Sequence, residues 1–262
     1  MSADYTTVEY LICQAARLFE DRKTVFVGYG MPQIAAILAQ RLYTPQIIQV
    51  YEYGAIGPEV VTPFRRNMMA DARNSYRALA WTQMNPIVWQ AQVGLIDYGV
   101  LGAAQMDPYG NINSTMIGGT YERPGKRFTG SGGGNEVASL CWRTIVLMSH
   151  QRRRFLEKID YITSPGYLDG SPDAREKAGL PRGSGPYRVI TSKGVFDFPA
   201  ETRRMRLIGV APGLEPRDVV EDMDFRPDVA DKVERLEPPR PRELAILREE
   251  IDPDRVVIAK DA

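Results

Sequence analysis

The chain has 262 residues, and its 33 Lys plus Arg balance 33 Asp plus Glu, so it carries no net formal charge. This balance argues against a protein that binds nucleic acid or an anionic membrane through a basic surface. The length suits one large α/β domain with a full core. We expect a single domain over residues 1–262, with residues 214–262 as a C-terminal arm that packs on the domain or on a partner.

The cysteines and the N-terminus predict a cytoplasmic protein. Cys13 and Cys141 each lie in an apolar, helical pattern, which is typical of free buried thiols in a reducing compartment. No secretory signal begins the sequence, and no apolar run is long enough for a membrane span. The single histidine, His150, has no Cys or His at ligand spacing, so we expect no metal site. Its arginine-rich neighbourhood predicts a surface position.

The first hundred residues show the strand and helix alternation of a parallel sheet. The predicted elements are a helix after Thr6 or Thr7, a strand with a glycine turn over 24–30, a helix over 31–43 and a buried strand over 47–50. This order is the βαβ pattern, and it predicts an α/β fold with an open, mostly parallel sheet flanked by helices.

A carboxylate follows the buried strand in the sequence IIQVYEYGAIGP. Glu52 lies where the strand ends, and ligands of open α/β sheets bind outside the carboxyl ends of the strands. An ionised glutamate can act as a nucleophile without a base to activate it. Gly54 and Gly57 permit a sharp turn and a close approach of substrate. The alternative is structural: Glu52 caps a following helix or pairs at the rim of a cleft.

The rest of the chain continues as strands, turns and helices. Up to residue 113 we predict a loop and helix over 64–84, a helix over 87–94, a strand within 95–106 and a turn between two strands over 107–113. After it we predict a strand over 144–149, a strand end over 161–166, a hairpin over 187–198 and a strand over 204–213. From residue 215 we predict short helical pieces before a last helix over 243–252.

A glycine cluster precedes a well-patterned helix between residues 126 and 142. Its glycines expose backbone N–H groups, and Asn135 can cap the helix, so an anion or a carbonyl oxygen could bind at the helix's positive end. The alternative interpretation is a flexible surface loop.

Three separated motifs together resemble the beta subunits of family I CoA-transferases. They are YEYGAIGP, which contains Glu52, GAAQMDPYGNINST over 102–115, and RFTGSGGGNEVAS over 127–139. The resemblance covers nearly the whole chain in order, which makes it far more specific than any single glycine motif.

The resemblance implies an open α/β subunit that forms one half of a pseudo-symmetric heteromer with an alpha subunit of similar fold. It also implies that coenzyme A is a substrate and that no cofactor is permanently bound. In this family a beta-subunit glutamate attacks an acyl-CoA to give a mixed anhydride. The released CoA thiolate then forms a glutamyl-CoA thioester, from which a second carboxylate collects the CoA. Glu52 occupies the matching position.

The same resemblance assigns supporting roles to other residues. Backbone N–H groups near the thioester and the CoA would come from Gly132, Gly133, Gly134 and Asn135, and Gln105 would lie close to the site. One preorganised N–H donor is worth roughly 3 kcal/mol to a developing oxyanion.

The substrate pocket beside Glu52 would include Tyr53 and Gly54. Tyr53 departs from the family pattern, because the residue after the nucleophile is commonly small or polar there. Two alternatives stay open. The first is a ring-opening CoA-thioester hydrolase or a decarboxylase on the same fold, although the relatives of that kind lack this glutamate. The second is a noncatalytic partner of the alpha subunit.

Overall fold

A computed structural model describes residues 5–65 and 70–259. Within this part, the chain forms two compact units: the first takes residues from Met1–Val100 and Pro238–Ala262, and the second takes Leu101–Glu237. Part of the loop and helix predicted over 64–84 lies outside the described residues. None of the helices in the described ranges is both long enough and apolar enough to cross a bilayer.

Seven helices are defined in the described ranges. They are α1 (Thr7–Ala16), α2 (Met31–Leu42), α3 (Met84–Gln92), α4 (Gly134–Leu140), α5 (Ala174–Lys177), α6 (Pro216–Val220) and α7 (Pro241–Ala245). A π-helical segment, Ile246–Ile251, continues α7, and short 3₁₀ turns form at Ala72–Ser75 and Arg152–Arg154.

Fourteen strands are defined in the same ranges. They are β1 (Thr24–Phe26), β2 (Ile48–Val50), β3 (Ala55–Ile56), β4 (Ala80–Trp81), β5 (Tyr98–Gly102), β6 (Gln105–Met106), β7 (Ile112–Asn113), β8 (Met116–Gly119), β9 (Pro124–Arg127), β10 (Arg143–Met148), β11 (Gly185–Thr191), β12 (Gly194–Asp197), β13 (Arg206–Val210) and β14 (Asp228–Arg235).

The first unit has the predicted parallel arrangement at its centre. Strand β1 lies between β2 and β5 and is parallel to both, while β3 and β4 extend the sheet in antiparallel fashion. Helix α1 starts at a capping box in which Thr6 Oγ1 accepts from the Glu9 N–H and Glu9 Oε2 accepts from the Thr6 N–H. Of the two caps predicted, Thr6 or Thr7, the structure has Thr6. Between 70 and 84, however, the structure has the 3₁₀ turn and β4 in place of the predicted helix.

The C-terminal segment from Pro238 belongs to the first unit, where buried carboxylates hold it. Glu243 is 1% exposed and accepts from Arg17 Nε at 2.8 Å and from the Tyr43 hydroxyl at 2.5 Å. Burial alone would raise the pKa of the Glu243 carboxyl, but hydrogen bonds from Arg17, Arg240 and Tyr43 hold it below its usual value. The bonds to this carboxylate therefore fix how the segment packs, since a buried charge is tolerated only where its acceptor sites are occupied.

Two more buried carboxylates act in the same way. Arg248 donates two hydrogen bonds to Glu9, and Asp252 accepts from the N–H groups of Val256, Val257 and Ile258. The C-terminal arm is expected over residues 214–262. Residues 214–237 belong to the second unit, and only the segment from Pro238 belongs to the first.

The second unit is built on strands β10 to β14. Strands β10 and β11 are parallel, β11, β12 and β13 are antiparallel, and β14 pairs in parallel with β13. The hairpin predicted over 187–198 is confirmed as β11 and β12, and the turn predicted over 107–113 connects β6 with β7. The core of this unit is a cluster of apolar side chains that includes Val146, Met148, Phe155, Phe196 and Leu207.

Two predictions in this unit are wrong for different reasons. Of the short helical pieces predicted from residue 215, α6 is present, but β14 forms over Asp228–Arg235. The sequence DVADKVER does not predict a strand, because it has no apolar alternation and most of its side chains are exposed at the edge of the sheet. The strand end predicted over 161–166 is an irregular segment that makes only a single bridge, between Ile112 and Ser164, within the described residues.

The surface position predicted for His150 is also wrong. The imidazole is buried against the rings of Phe155 and Phe196, at centroid distances of 4.9 and 6.0 Å. Its Nδ1 lies 3.1 Å from Thr191 Oγ1 and its Nε2 lies 3.0 Å from the Val219 carbonyl oxygen. Burial lowers the pKa of His150 to about 4, so the folded protein keeps this side chain neutral in mildly acidic solution.

We predict that His150→Gln reduces the loss of stability on acidification. Between the ordinary histidine pKa of about 6.5 and the folded value of about 4, the unfolded chain binds a proton that the folded chain does not. The free energy of unfolding therefore decreases as the pH is lowered through this range. This difference is worth up to roughly 3 kcal/mol. Urea titrations from neutral pH to pH 4 should show a shallower fall in the free energy of unfolding for the variant. Because His150 is the only histidine, identical slopes would contradict the prediction.

Candidate functional site

Glu52 lies in a tight turn directly after the parallel strand β2. The Gly54 N–H donates to the Tyr51 carbonyl at 2.9 Å, and the Tyr51 N–H donates to the Ala55 carbonyl at 2.9 Å, so the turn joins β2 to the antiparallel strand β3. The Glu52 side chain is half-buried. The alternative of a helix cap is wrong, since β3 follows the turn and no helix begins there.

A chain of side-chain hydrogen bonds from Tyr51 through Gln49 to Gln40 fixes the residue before Glu52. The Tyr51 ring is fully buried, and its hydroxyl donates to Gln49 Oε1 at 2.9 Å. Gln49 Nε2 in turn donates to Gln40 Oε1 at 3.0 Å. Burial raises the pKa of Tyr51 above its usual value. The residue before Glu52 is thus fixed by hydrogen bonds that the apolar character of the strand does not predict.

Only glycine fits at position 54. Gly54 has φ +118°, and a Cβ there would lie 1.9 Å from the Thr82 carbonyl oxygen. The Thr82 N–H donates to the Gly54 carbonyl at 2.9 Å, so the two backbones are in direct contact. Tyr53, by contrast, is 45% exposed. The two residues assigned to the substrate pocket therefore differ, since one fixes the backbone and the other presents a ring to solvent.

The predicted glycine loop lies in the second unit and is tied to the strand β7 region. The Gly130 N–H donates to the Ser114 carbonyl at 3.1 Å, and Ser114 Oγ donates to the Gly130 carbonyl at 3.1 Å. Helix α4 begins at Gly134, with Gly133 as its N-cap residue. The prediction that Asn135 caps this helix is therefore wrong. Its Nδ2 donates instead to the Thr163 carbonyl at 2.9 Å.

A cavity of about 740 Å³ opens beside this loop, within the second unit. Gly132 and Asn135 line it, and so do Tyr121, Arg127 and Tyr161. Sequence reasoning missed the last three. The signal available for them was the alternation of aromatic and basic residues in TYERPGKRF, which predicts contacts with a flat or anionic ligand but does not say where the second ring lies.

Gln105 is buried behind the cavity and not on its surface. Its Oε1 accepts from Asn113 Nδ2 at 2.6 Å, and its Nε2 donates to Asp160 Oδ2 at 2.6 Å. Asn113 Oδ1 accepts from the N–H of Thr115, which lines the cavity. Gln105 therefore holds the cavity wall through Asn113, and its side-chain amide is already occupied by protein partners.

The DPYGN sequence at residues 107–111 holds loops together and does not line the cavity. The buried Asp107 carboxylate accepts from the N–H groups of Tyr109 and Asn111 and from Asn111 Nδ2. Burial raises the pKa of Asp107 above its usual value despite these bonds. Asn111 also donates to the Leu168 carbonyl and accepts from the Gly166 N–H, so the motif connects two distant loops.

Taken together, the fold and these features are those of an α/β enzyme subunit with a carboxylate at the end of a parallel strand and a ligand-sized cavity beside a glycine loop. Residues 8–222 match the family described as Coenzyme A transferase, and the chain belongs to that family.

Two curated relatives and one crystal structure agree with this assignment. The chain is 39% identical to the B subunit of glutaconate CoA-transferase from Acidaminococcus fermentans, over 97% of this chain and 96% of that protein. It is 34% identical to the B subunit of 3-oxoadipate CoA-transferase from Pseudomonas knackmussii, over 95% and 94%. The crystal structure of the Acidaminococcus fermentans glutaconate coenzyme A-transferase superposes with a TM-score of 0.89 at 38% identity, covering 97% of this chain and 98% of that one. The predicted fold class and family resemblance are confirmed.

We predict that Gly54→Ala destabilises the protein much more than Gly213→Ala. Both glycines have positive φ, so each alanine costs about 1–2 kcal/mol of backbone strain. Only at position 54 does the added Cβ also collide with backbone, whereas nothing lies within 4 Å at Gly213. Urea denaturation should therefore give a loss of unfolding free energy about 2 kcal/mol larger for Gly54→Ala. Equal losses would mean that the turn can move away from Thr82.

Proposed function

We propose that this chain is the beta subunit of a heteromeric CoA-transferase that moves CoA between an acyl-CoA and a carboxylic or dicarboxylic acid, with Glu52 as the covalent nucleophile. The observation that carries this proposal is the half-buried Glu52 carboxylate at the carboxyl end of β2, in a chain of the Coenzyme A transferase family. Coenzyme A is then a substrate and not a resident cofactor.

In the proposed reaction, the acyl group and the CoA are exchanged through covalent intermediates on Glu52, and no water takes part. The Glu52 carboxylate attacks the thioester carbonyl, the C–S bond breaks, and a mixed anhydride and a CoA thiolate form. The thiolate attacks the Glu52 carbonyl of the anhydride, which releases the first acid as its carboxylate and leaves a glutamyl-CoA thioester. The acceptor carboxylate then attacks this thioester and regenerates an anhydride and a thiolate. Attack of the thiolate on the acyl carbonyl yields the new acyl-CoA and frees Glu52.

The environment of Glu52 suits this chemistry. A carboxylate is a weak nucleophile in water, and partial burial removes some of the water that would otherwise stabilise its charge. The anchored Tyr51 and the tight backbone at Gly54 limit the positions that the Glu52 side chain can take. Restricting a nucleophile to a productive orientation lowers the entropic cost of attack.

The second unit supplies the groups proposed to bind the CoA. The Gly134 N–H already donates to the Ser131 carbonyl at 2.7 Å. The N–H groups of Gly132, Gly133 and Asn135 stand at the start of α4, where the helix itself offers them no partner. We assign these N–H groups to polar oxygens of the CoA or its thioester. Gln105 has a positioning role, because it holds Asn113 and the wall segment that includes Thr115.

Tyr53 and Gly54 define the proposed acyl side of the site. Gly54 fixes the backbone, and the exposed Tyr53 ring offers an apolar face with a hydroxyl at its tip. A ring directly after the nucleophile limits the volume available to the acyl group, so Tyr53 is a candidate determinant of acyl specificity.

The partner is proposed to be an alpha subunit of similar fold. Each of the two curated relatives described above is one named subunit of its enzyme. In the first unit, exposed apolar side chains concentrate on the edge strand β4 and around helix α3: Leu79, Trp81, Met84, Trp89, Val93 and Leu95. An exposed apolar surface rich in aromatic residues is typical of a protein interface. The buried free thiols of Cys13 and Cys141 support a cytoplasmic location.

We predict that Glu52→Gln abolishes CoA transfer. In the complex with the alpha subunit, the rate should fall by roughly 10³-fold or more, because the covalent route is lost. The matched control is Glu59→Gln, a nearby exposed glutamate paired with Arg77, which should keep wild-type turnover. Incubation of the wild-type complex with acyl-CoA, followed by borohydride, should reduce the Glu52 side chain to an alcohol detectable by peptide mass spectrometry.

Wild-type turnover by the Glu52→Gln complex would overturn the assignment of the nucleophile. Product analysis separates the other chemistries on this fold, since release of free CoA or carbon dioxide without an acceptor acid would identify a hydrolase or a decarboxylase.

We predict that Leu79→Asp weakens assembly with the alpha subunit. Leu79 is 77% exposed beside the edge strand β4, so the isolated chain should keep its melting temperature. A buried carboxylate at the interface should raise the dissociation constant at least about tenfold. Val229→Asp, on the edge strand β14 of the second unit, is the matched control. Sedimentation over a range of concentrations measures both, and equal, unchanged affinities would place the interface elsewhere.

A further inference from the structure

Two tyrosine rings and an arginine lie together on the cavity of the second unit. The ring centroids of Tyr121 and Tyr161 are 5.7 Å apart at an interplanar angle of 31°, and the Arg127 guanidinium carbon lies 4.5 Å from the Tyr121 centroid. Tyr121 is 54% exposed and Tyr161 is 38% exposed. Arg127 also donates to the Tyr121 carbonyl oxygen, so the hairpin of β8 and β9 holds Arg127 and Tyr121 together.

The same hairpin carries three cations and one carboxylate, Glu122. Among the ion pairs of residues 5–65 and 70–259, none includes Arg123, Lys126 or Arg127. Lys126 Nζ lies 5.0 Å from the Phe128 ring, at the side of the cavity. An anion that bound here would meet these cations without first displacing a carboxylate from them.

A carboxylate stands in another part of the cavity lining. Glu136 Oε2 is buried and lacks a hydrogen bond to any described residue. The cavity thus offers an aromatic and cationic region and, separately, a carboxylate in its lining.

CoA carries the groups that match this arrangement. Its adenine can stack on a tyrosine ring, since stacking on aromatic side chains is worth roughly 1–3 kcal/mol per base. Its phosphates can pair with Arg127 and Lys126, and its pantetheine arm has amide N–H groups. A cavity of about 740 Å³ is within the size range of small-ligand sites.

We propose that Tyr121, Arg127 and Tyr161 form the subsite for the nucleotide end of CoA. This inference rests on the proposed function for the identity of its ligand. The subsite touches no reacting atom, so its residues bind and position the substrate and take no part in bond making. Its contribution is to the capture of full-length CoA esters in preference to shorter thioesters.

The test compares an acyl-CoA with the acyl-pantetheine that has the same acyl group, using the complete complex with the alpha subunit. For Arg127→Ala and for Tyr161→Leu we expect kcat/KM with acyl-CoA to fall roughly tenfold or more, mainly through KM. With acyl-pantetheine, which lacks the nucleotide, kcat/KM should stay within about twofold of wild type. Arg182→Ala, an exposed arginine of the second unit that pairs with Glu176, is the matched control and should change neither value.

Equal losses with both substrates, or no loss with either, would overturn the subsite. A complex that fails to assemble after Arg127→Ala would also overturn it and would assign this surface to the partner.

Calorimetry with the adenosine bisphosphate that forms the nucleotide end of CoA separates the subsite from the transfer chemistry. Weaker binding in Arg127→Ala supports the subsite even if no CoA transfer occurs with any acyl-CoA. If the variant binds this probe as the wild type does and the complex is an active transferase, the proposed function holds and the proposed subsite is wrong.

Discussion

The contact between the backbones of Gly54 and Thr82 is the constraint on which the Glu52 turn depends. The chain reverses direction within the four residues after β2, and the second strand after the turn lies so close that no side chain fits at position 54. The Thr82 N–H to Gly54 carbonyl bond fixes that spacing. A carboxylate presented on such a turn has few backbone conformations available, and a catalytic side chain benefits from this restriction.

Those parts of the structure that follow from local patterns could be predicted from the sequence. The capped helix after Thr6, the β1–α2–β2 unit and the hairpin over 187–198 have strong periodicity and clear turn residues, and each is present. Glu52 could be placed at the end of a buried strand, because the apolar run stops just before it. The family resemblance came from motifs far apart in the chain, and its agreement with the comparisons reflects their order along the sequence.

The sequence was less informative where distant groups decide the structure. His150 looks exposed beside three arginines, yet Thr191 and Val219 supply hydrogen bonds that allow its burial. Asn135 is of a residue type that often caps helices, but its side chain donates to the Thr163 carbonyl instead. Strand β14 has polar residues on both faces because it forms an edge, so alternation could not reveal it. For the two side chains the deciding partner lies at least 28 residues away along the chain, and for β14 it is the neighbouring strand β13.

The two motifs that carry glycine use it for different physical purposes. At Gly54 the backbone is so close to another segment that a Cβ would overlap it, so glycine there is a requirement of packing. At Gly130 and Gly132 nothing lies within 4 Å of the added Cβ, and the requirement is the positive φ alone. A packed glycine fixes a position, whereas an open one lets the backbone turn without a steric clash. This difference agrees with the two proposed roles, a rigid turn that carries Glu52 in the first unit and an accessible loop at the cavity of the second.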